Sequence, residues 1–269
     1  MFRRSIVAYL LIGLCGCGGG GLDRGSSSTS TPPPPNQTPA LNGNWEIRAV
    51  SQISMTTYLV GGSLSTTGTD VSGILHIVNT PSCYVSPNGT IYDLPVTGTI
   101  STEGALSLTS SPVQNQTLQL SGTWSNGSIV SGTYSVTGGC GNGDHGTITG
   151  FVVPSFSGTY TGTFTSVSGL QIKTTIMVAQ ATTPGSDGEY SLSGTATFDS
   201  PCFTSGTIAA DPYSYVLGGF VETTITTGNG LVEFGGTITD STGNTLTGNY
   251  SVTGGTGCAG DSGAGTVNR

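Results

Sequence analysis

Charged side chains are scarce in this sequence. Only 7% of its 269 residues are Asp, Glu, Lys or Arg, and six basic residues stand against 14 acidic ones. A chain of net charge −8 with so few cations has no basic patch to neutralise phosphates, which excludes nucleic acid as a partner. Histidine is nearly missing too. His76 lies inside the apolar run VSGILHIV, where a half-buried strand residue is expected. His145 follows Asp144 in CGNGDHGT, and an acid beside a histidine invites a catalytic reading. The matching stretch CAGDSGAGT keeps Asp261 but has Ser262 in place of the histidine, so a turn-capping Asp is expected at both places. Gly-x-Ser-x-Gly elbows, phosphate loops and calcium loops are absent, and no pair of carboxylates is set apart for glycosidase-type acid–base work. Ser and Thr hydroxyls are plentiful, but no base accompanies them. The expectation is a protein that is not an enzyme and needs no metal or cofactor.

Helical periodicity is also lacking, and a period of two takes its place. In LQIKTTIMV, Leu170, Ile172, Ile176 and Val178 share one face while Gln171, Lys173 and Thr175 share the other. TLQLSGTW alternates Leu118, Leu120 and Trp124 with polar residues, and YSLSGTATF does the same with Tyr190, Leu192, Ala196 and Phe198. Turn clusters such as SPNG, TPGSDG, TTGNG and DSTGN separate these runs, as in antiparallel hairpins.

An internal repeat organises the strands. YSVTGG occurs at 134–139 and again at 250–255, PSC ending at Cys83 answers SPC ending at Cys202, and LNGNWEI from Leu41 answers FSGTYTGTF from Phe156. Two copies run over residues 41–153 and 156–269, joined at Pro154-Ser155, and each is of domain size. Seven or eight short strands per copy with one apolar face must close or fold over to hide their edges. The fold class is therefore all-β, two tandem small antiparallel up-and-down barrels or sandwiches. Strand glycines beside aromatics, Gly132 near Tyr134 and Gly248 near Tyr250, suit the tight coiling of a barrel.

The start of the chain differs in kind. Arg3 and Arg4 precede Ser5 to Leu14, a mostly apolar uncharged run too short to span a bilayer, and LCGC follows. Leu14-Cys15-Gly16-Cys17 resembles the lipobox of bacterial lipoproteins, with Leu three residues before the modified cysteine. The resemblance implies cleavage after residue 16, a diacylglycerol thioether and a further acyl chain on Cys17, and a lipid-anchored place in the bacterial cell envelope. Gly18 after Cys17, where an Asp would mark inner-membrane retention, leans towards the outer membrane. Residues 17–40, with GGGG, SSSTST and PPPP, cannot bury enough to repay ordering and read as a disordered tether. Loss of Arg3 and Arg4 with the signal leaves four basic residues against 14 acidic ones, a net charge of −10.

Export brings the other cysteines into an oxidising compartment, where four cysteines allow three pairings. Cys83 precedes Cys140 by 57 residues and Cys202 precedes Cys258 by 56, so the repeat selects one bridge per copy. The competing arrangement is four reduced thiols or a metal site shared between the copies.

LNGNWEI around Trp45 resembles the opening strand of lipocalin-like barrels, and LSGTWSNGSIVSGTYS is similar to avidin-type strands. Both families are eight-stranded meanders that hold a small ligand in the barrel mouth, which implies ligand contacts at Trp45, Trp124 and Tyr160, the last standing at the Trp45 position of the second copy. These readings together predict a membrane-anchored envelope module that binds without catalysis, its ligand a small apolar molecule, a glycan or a protein. A structural or adhesive surface protein and a carboxylate-dependent hydrolase are the alternatives.

Overall fold

The computed structural model describes residues 39–78, 82–85, 91–209, 214–238, 242–255 and 259–269. Cys17, the signal, the tether up to residue 38 and Cys258 lie outside the described residues. The first copy contains β1 (Gly43–Ser51), β2 (Thr57–Thr67), β3 (Asp70–Ile77), β4 (Leu94–Ile100), β5 (Ala105–Ser110), β6 (Gln116–Ser125), β7 (Ser128–Gly138) and β8 (His145–Val152). Each strand pairs with the next, and β8 returns antiparallel to β1, which closes the sheet into a barrel. The second copy contains β9 (Gly158–Ser166), β10 (Gln171–Gln180), β11 (Tyr190–Phe198), β12 (Ser205–Ile208), β13 (Tyr215–Leu217), β14 (Phe220–Thr227), β15 (Gly230–Ile238), β16 (Thr245–Thr253) and β17 (Ser262–Asn268). Here β17 closes on β9, and eight strands again make the ring. The three-residue β13 is an addition: it pairs with β11 and β14 beyond the end of the short β12. Of the two predicted architectures, the barrel is the one formed.

Alternation drives each strand. In β5, Leu106 and Leu108 point into the core while Ala105, Ser107 and Thr109 face out, and β10 buries Ile172, Thr174, Ile176 and Val178 in the same rhythm. Leu170 departs from the expected face: it precedes β10, in the hairpin turn, and is exposed. Trp124 stays on the face of Leu118 and Leu120: a register shift in the pairing falls between Thr123 and Trp124, and its half-buried ring packs against the first core. Closure rests on paired glycines. Gly122 lies opposite Gly132 and Gly236 opposite Gly248, at equivalent places in the two copies. A Cβ on Gly132 would collide with the Ser121 carbonyl, and one on Gly248 with the Gly235 carbonyl. Side chains at these sites would force the strands apart where the sheet coils most tightly.

Each barrel has its own apolar core, and the second barrel meets the first at Asn44 of β1, Gly61 of β2 and His76 of β3. Asn44, buried, donates its amide to Gly218 O at 2.8 Å and accepts from Gly218 N at 2.7 Å. Gly218 adopts φ +56° in the β13–β14 turn, and a Cβ there would strike Gly61 of the other barrel. His76 is more deeply buried than its sequence suggests, 4% exposed, because its Nε2 meets Asp187 O at 2.7 Å across the same contact.

The Cys83–Cys140 disulfide is formed, with Cα atoms 5.7 Å apart. It joins a 3-10 turn, Ser82–Tyr84, to the chain just after β7. Cys202 is also disulfide-bonded.

Candidate functional site

Three places bear on function: the barrel interiors, the ends of the barrels, and the grooves between them. Inside, Trp45 is fully buried and its Nε1 donates to Leu41 O at 2.7 Å. Tyr160 holds the equivalent position, the third residue of its copy's first strand, and its hydroxyl donates to Gly243 O at 2.8 Å. The Phe156 ring lies 4.5 Å from that of Tyr160, and Leu41 stands at the same offset before Trp45. Each copy thus folds its entering segment under its first strand as an apolar plug. Both rings have satisfied polar atoms and no exposed surface. Trp124 is half-buried, and its buried Nε1 has no hydrogen-bond partner among the described residues. The void inside the second barrel, bounded by rings such as Phe164, Phe198 and Phe234, measures about 10 Å³, too small to hold more than a single water.

The ends of the two barrels carry the same cluster. Ser51 Oγ donates to Asp144 Oδ1 at 2.6 Å, and Tyr134 OH donates to Asp144 Oδ2 at 3.1 Å. In the second copy Ser166 Oγ donates to Asp261 Oδ1 at 2.5 Å and Tyr250 OH to Asp261 Oδ2 at 2.9 Å. Burial raises the Tyr134 hydroxyl well above its ordinary range, with Asp144 adding to it. Burial and then the hydrogen bond to Asp261 push Tyr250 up to about 12. The acids lie in the turns before β8 and β17, but their partners come from the first and seventh strands of each ring, across 93 and 95 residues in the serine contacts. The expected turn-capping acids are therefore long-range latches. Each serine is also committed locally: Ser51 Oγ accepts from Ile53 N and Ser54 N, and Ser166 Oγ from Ser168 N. His145 points away, exposed, its Nδ1 against Gly143 O at 3.0 Å, so the sequence neighbours Asp144 and His145 do not work together. No three His, Cys, Asp or Glu side chains converge as a metal site among the described residues.

Beside the first latch, Tyr84 is buried and its hydroxyl has no partner among the described residues. Burial, then Asp144 and Tyr58, push it up to about 12. The residue after the matching cysteine of the second copy is Phe203, which packs edge-on against Phe198 at 4.9 Å. An unpaired buried hydroxyl is a net cost, so Tyr84→Phe is expected to stabilise the first barrel by about 1 kcal/mol, read as a higher urea midpoint. A loss of stability would reveal a bound water that satisfies the hydroxyl.

Two grooves lie near the contact of the barrels, outside their cores. One groove of about 460 Å³ is bordered by Asn42, Ser63, Leu64, Gln180, Ala181 and Tyr190, together with Val153 and Ser155 of the connection between the copies. Its rim amides are fixed: Asn42 Oδ1 accepts from Thr66 N at 2.7 Å, and Gln180 Oε1 from Phe156 N at 2.6 Å. A second groove of about 450 Å³ contains Glu46, buried, whose Oε1 accepts from Arg48 Nε at 2.8 Å, among apolar neighbours including Leu217 and Phe220. Sequence reasoning missed both. Their walls come from different copies, and no local pattern pairs Asn42 with Gln180.

No family model matches the chain, and no curated protein matches it. Among solved structures, a protein of unknown function from the DUF3598 family of Nostoc punctiforme is similar at 10% identity, covering 85% of this chain and 96% of that one, with a TM-score of 0.26.

Proposed function

We propose that this chain is a lipid-anchored, non-enzymatic binding module of the bacterial cell envelope, held by Cys17, probing its surroundings through the outer groove between its barrels. The observation that carries the binding part is the contrast between a solidly filled second barrel and an open groove of about 460 Å³ built by both copies. Pockets of this size hold small ligands and segments of larger ones. The anchor rests on the lipobox-like LCGC after an apolar run. Two or three acyl chains hold far more firmly than one, because each buried methylene contributes ~0.8 kcal/mol. The filled interior also favours a second reading, a surface protein whose stacked barrels serve only as structure.

Radiolabelled palmitate is expected to mark the full-length chain and to vanish with Cys17→Ser; label that survives this change but is lost with Cys15→Ser moves the anchor to the other cysteine. The soluble Cys17→Ser chain is then expected to sediment with isolated envelope material. Ala181→Trp, which fills the groove from a half-exposed position, is expected to lower the bound fraction without moving the thermal transition. Equal sedimentation of both chains favours the purely structural reading.

A further inference from the structure

We infer that the groove between the barrels is a saccharide site for a short neutral glycan; this rests on the reading that the groove is where the protein meets its partner. The first observation is its charge. Among the described residues, none bordering the groove is acidic or basic, in a chain with 14 acidic residues, and its polar side chains are amides and hydroxyls. A ligand carrying a formal charge would find no counter-charge there, and the net charge of −8 repels polyanions.

The second observation is the direction of the amides. Asn42 belongs to the first copy and Gln180 to the second. Each commits its oxygen to a backbone N–H, Asn42 to Thr66 N and Gln180 to Phe156 N. An amide whose oxygen accepts such a bond has its orientation fixed by that bond, and its NH₂ is the end left to donate. Both residues border the groove, which leaves two amide donors, one from each copy, for a ligand rich in neutral acceptors. Sugar hydroxyl, ring and acetamido oxygens meet that requirement. Val152 and the exposed Pro184 supply apolar surface between the polar groups, which suits the C–H faces of a pyranose ring.

The third observation is rigidity. The two hydrogen bonds between Asn44 and the Gly218 backbone, both buried, lock one barrel against the other directly beside the groove, so its walls are set before a ligand arrives. Preorganised donors lose little freedom on binding, which matters for flexible, well-hydrated sugars.

The test uses the Cys17→Ser full chain in calorimetric titrations with cello-, malto- and chito-oligosaccharides. Polygalacturonate serves as an anionic probe and a neutral Gly/Ser peptide as a backbone-amide probe. At least one neutral oligosaccharide is expected to bind at micromolar to millimolar concentration, while the polyanion does not. The double variant Asn42→Asp, Gln180→Glu keeps both oxygens on Thr66 N and Phe156 N but turns each donor into an acceptor. It is expected to weaken binding by about tenfold or more with an unchanged thermal transition. Thr226→Glu, an exposed wall position outside the groove, controls for added charge and leaves affinity unchanged. Failure of every neutral oligosaccharide to bind overturns the saccharide assignment. So does equal binding by the double variant, and so does binding of the peptide in their place. In each of these cases, envelope sedimentation that is still sensitive to Ala181→Trp leaves the binding-module reading standing, whereas its loss removes both.

Discussion

Replacing Cys83 and Cys140 together by alanine is expected to lower the stability of the first barrel by about 4 kcal/mol, the entropy model's value for releasing a loop of this length. The bridge closes 57 residues of chain, from the turn between β3 and β4 to the end of β7, and so spans most of the ring. Without it the unfolded chain regains those conformations, while the native core of Leu, Val and Ile side chains keeps its packing. Against a typical domain stability of about 5–15 kcal/mol, that loss is a large fraction. The molecule supplies its own reporter. Both tryptophans, Trp45 and Trp124, belong to the first copy, so fluorescence follows that barrel alone while circular dichroism follows both. In urea, the fluorescence midpoint of the alanine pair is expected to fall well below that of the unaltered chain. A shift corresponding to less than about 1 kcal/mol would mean that the long loop is already constrained in the unfolded state.

The latches give the second large effect. Asp144→Ala removes the acceptor of two buried hydroxyls, Ser51 and Tyr134, and hydrogen bonds to a carboxylate each contribute about 1.5–3 kcal/mol. A loss of about 3 kcal/mol is expected in the first barrel. Asp261→Ala does the same to Ser166 and Tyr250 in the second, again by about 3 kcal/mol. The readouts separate the two. Asp144→Ala is expected to move the fluorescence transition, and Asp261→Ala to move only the circular dichroism. Should Asp261→Ala drag the fluorescence with it, the Asn44–Gly218 and His76–Asp187 contacts would have to couple the barrels into a single cooperative unit.

The sequence by itself determined the strands, their turns and their duplication. Alternation of Leu106 with Ser107 and of Ile172 with Lys173 is a local property, and it reads correctly wherever the backbone stays regular. It misplaced Leu170, because a turn releases that residue before β10 begins and leaves no mark on the period. The pairing of Cys83 with Cys140 was legible because the repeat carries long-range information that a single copy lacks. Tertiary structure alone decided that the sheets close into barrels, that Asp144 serves Ser51 and Tyr134 and has no part with His145, and that Asn42 and Gln180 face a common groove. Those outcomes depend on the coil and register of the closed sheets and on how one barrel lies against the other. Coil and register are set by the close approach at glycine pairs such as Gly122–Gly132, and the contact between the barrels by hydrogen bonds spanning up to 174 residues of chain. A pattern with a period of two residues has no means of encoding separations of that length.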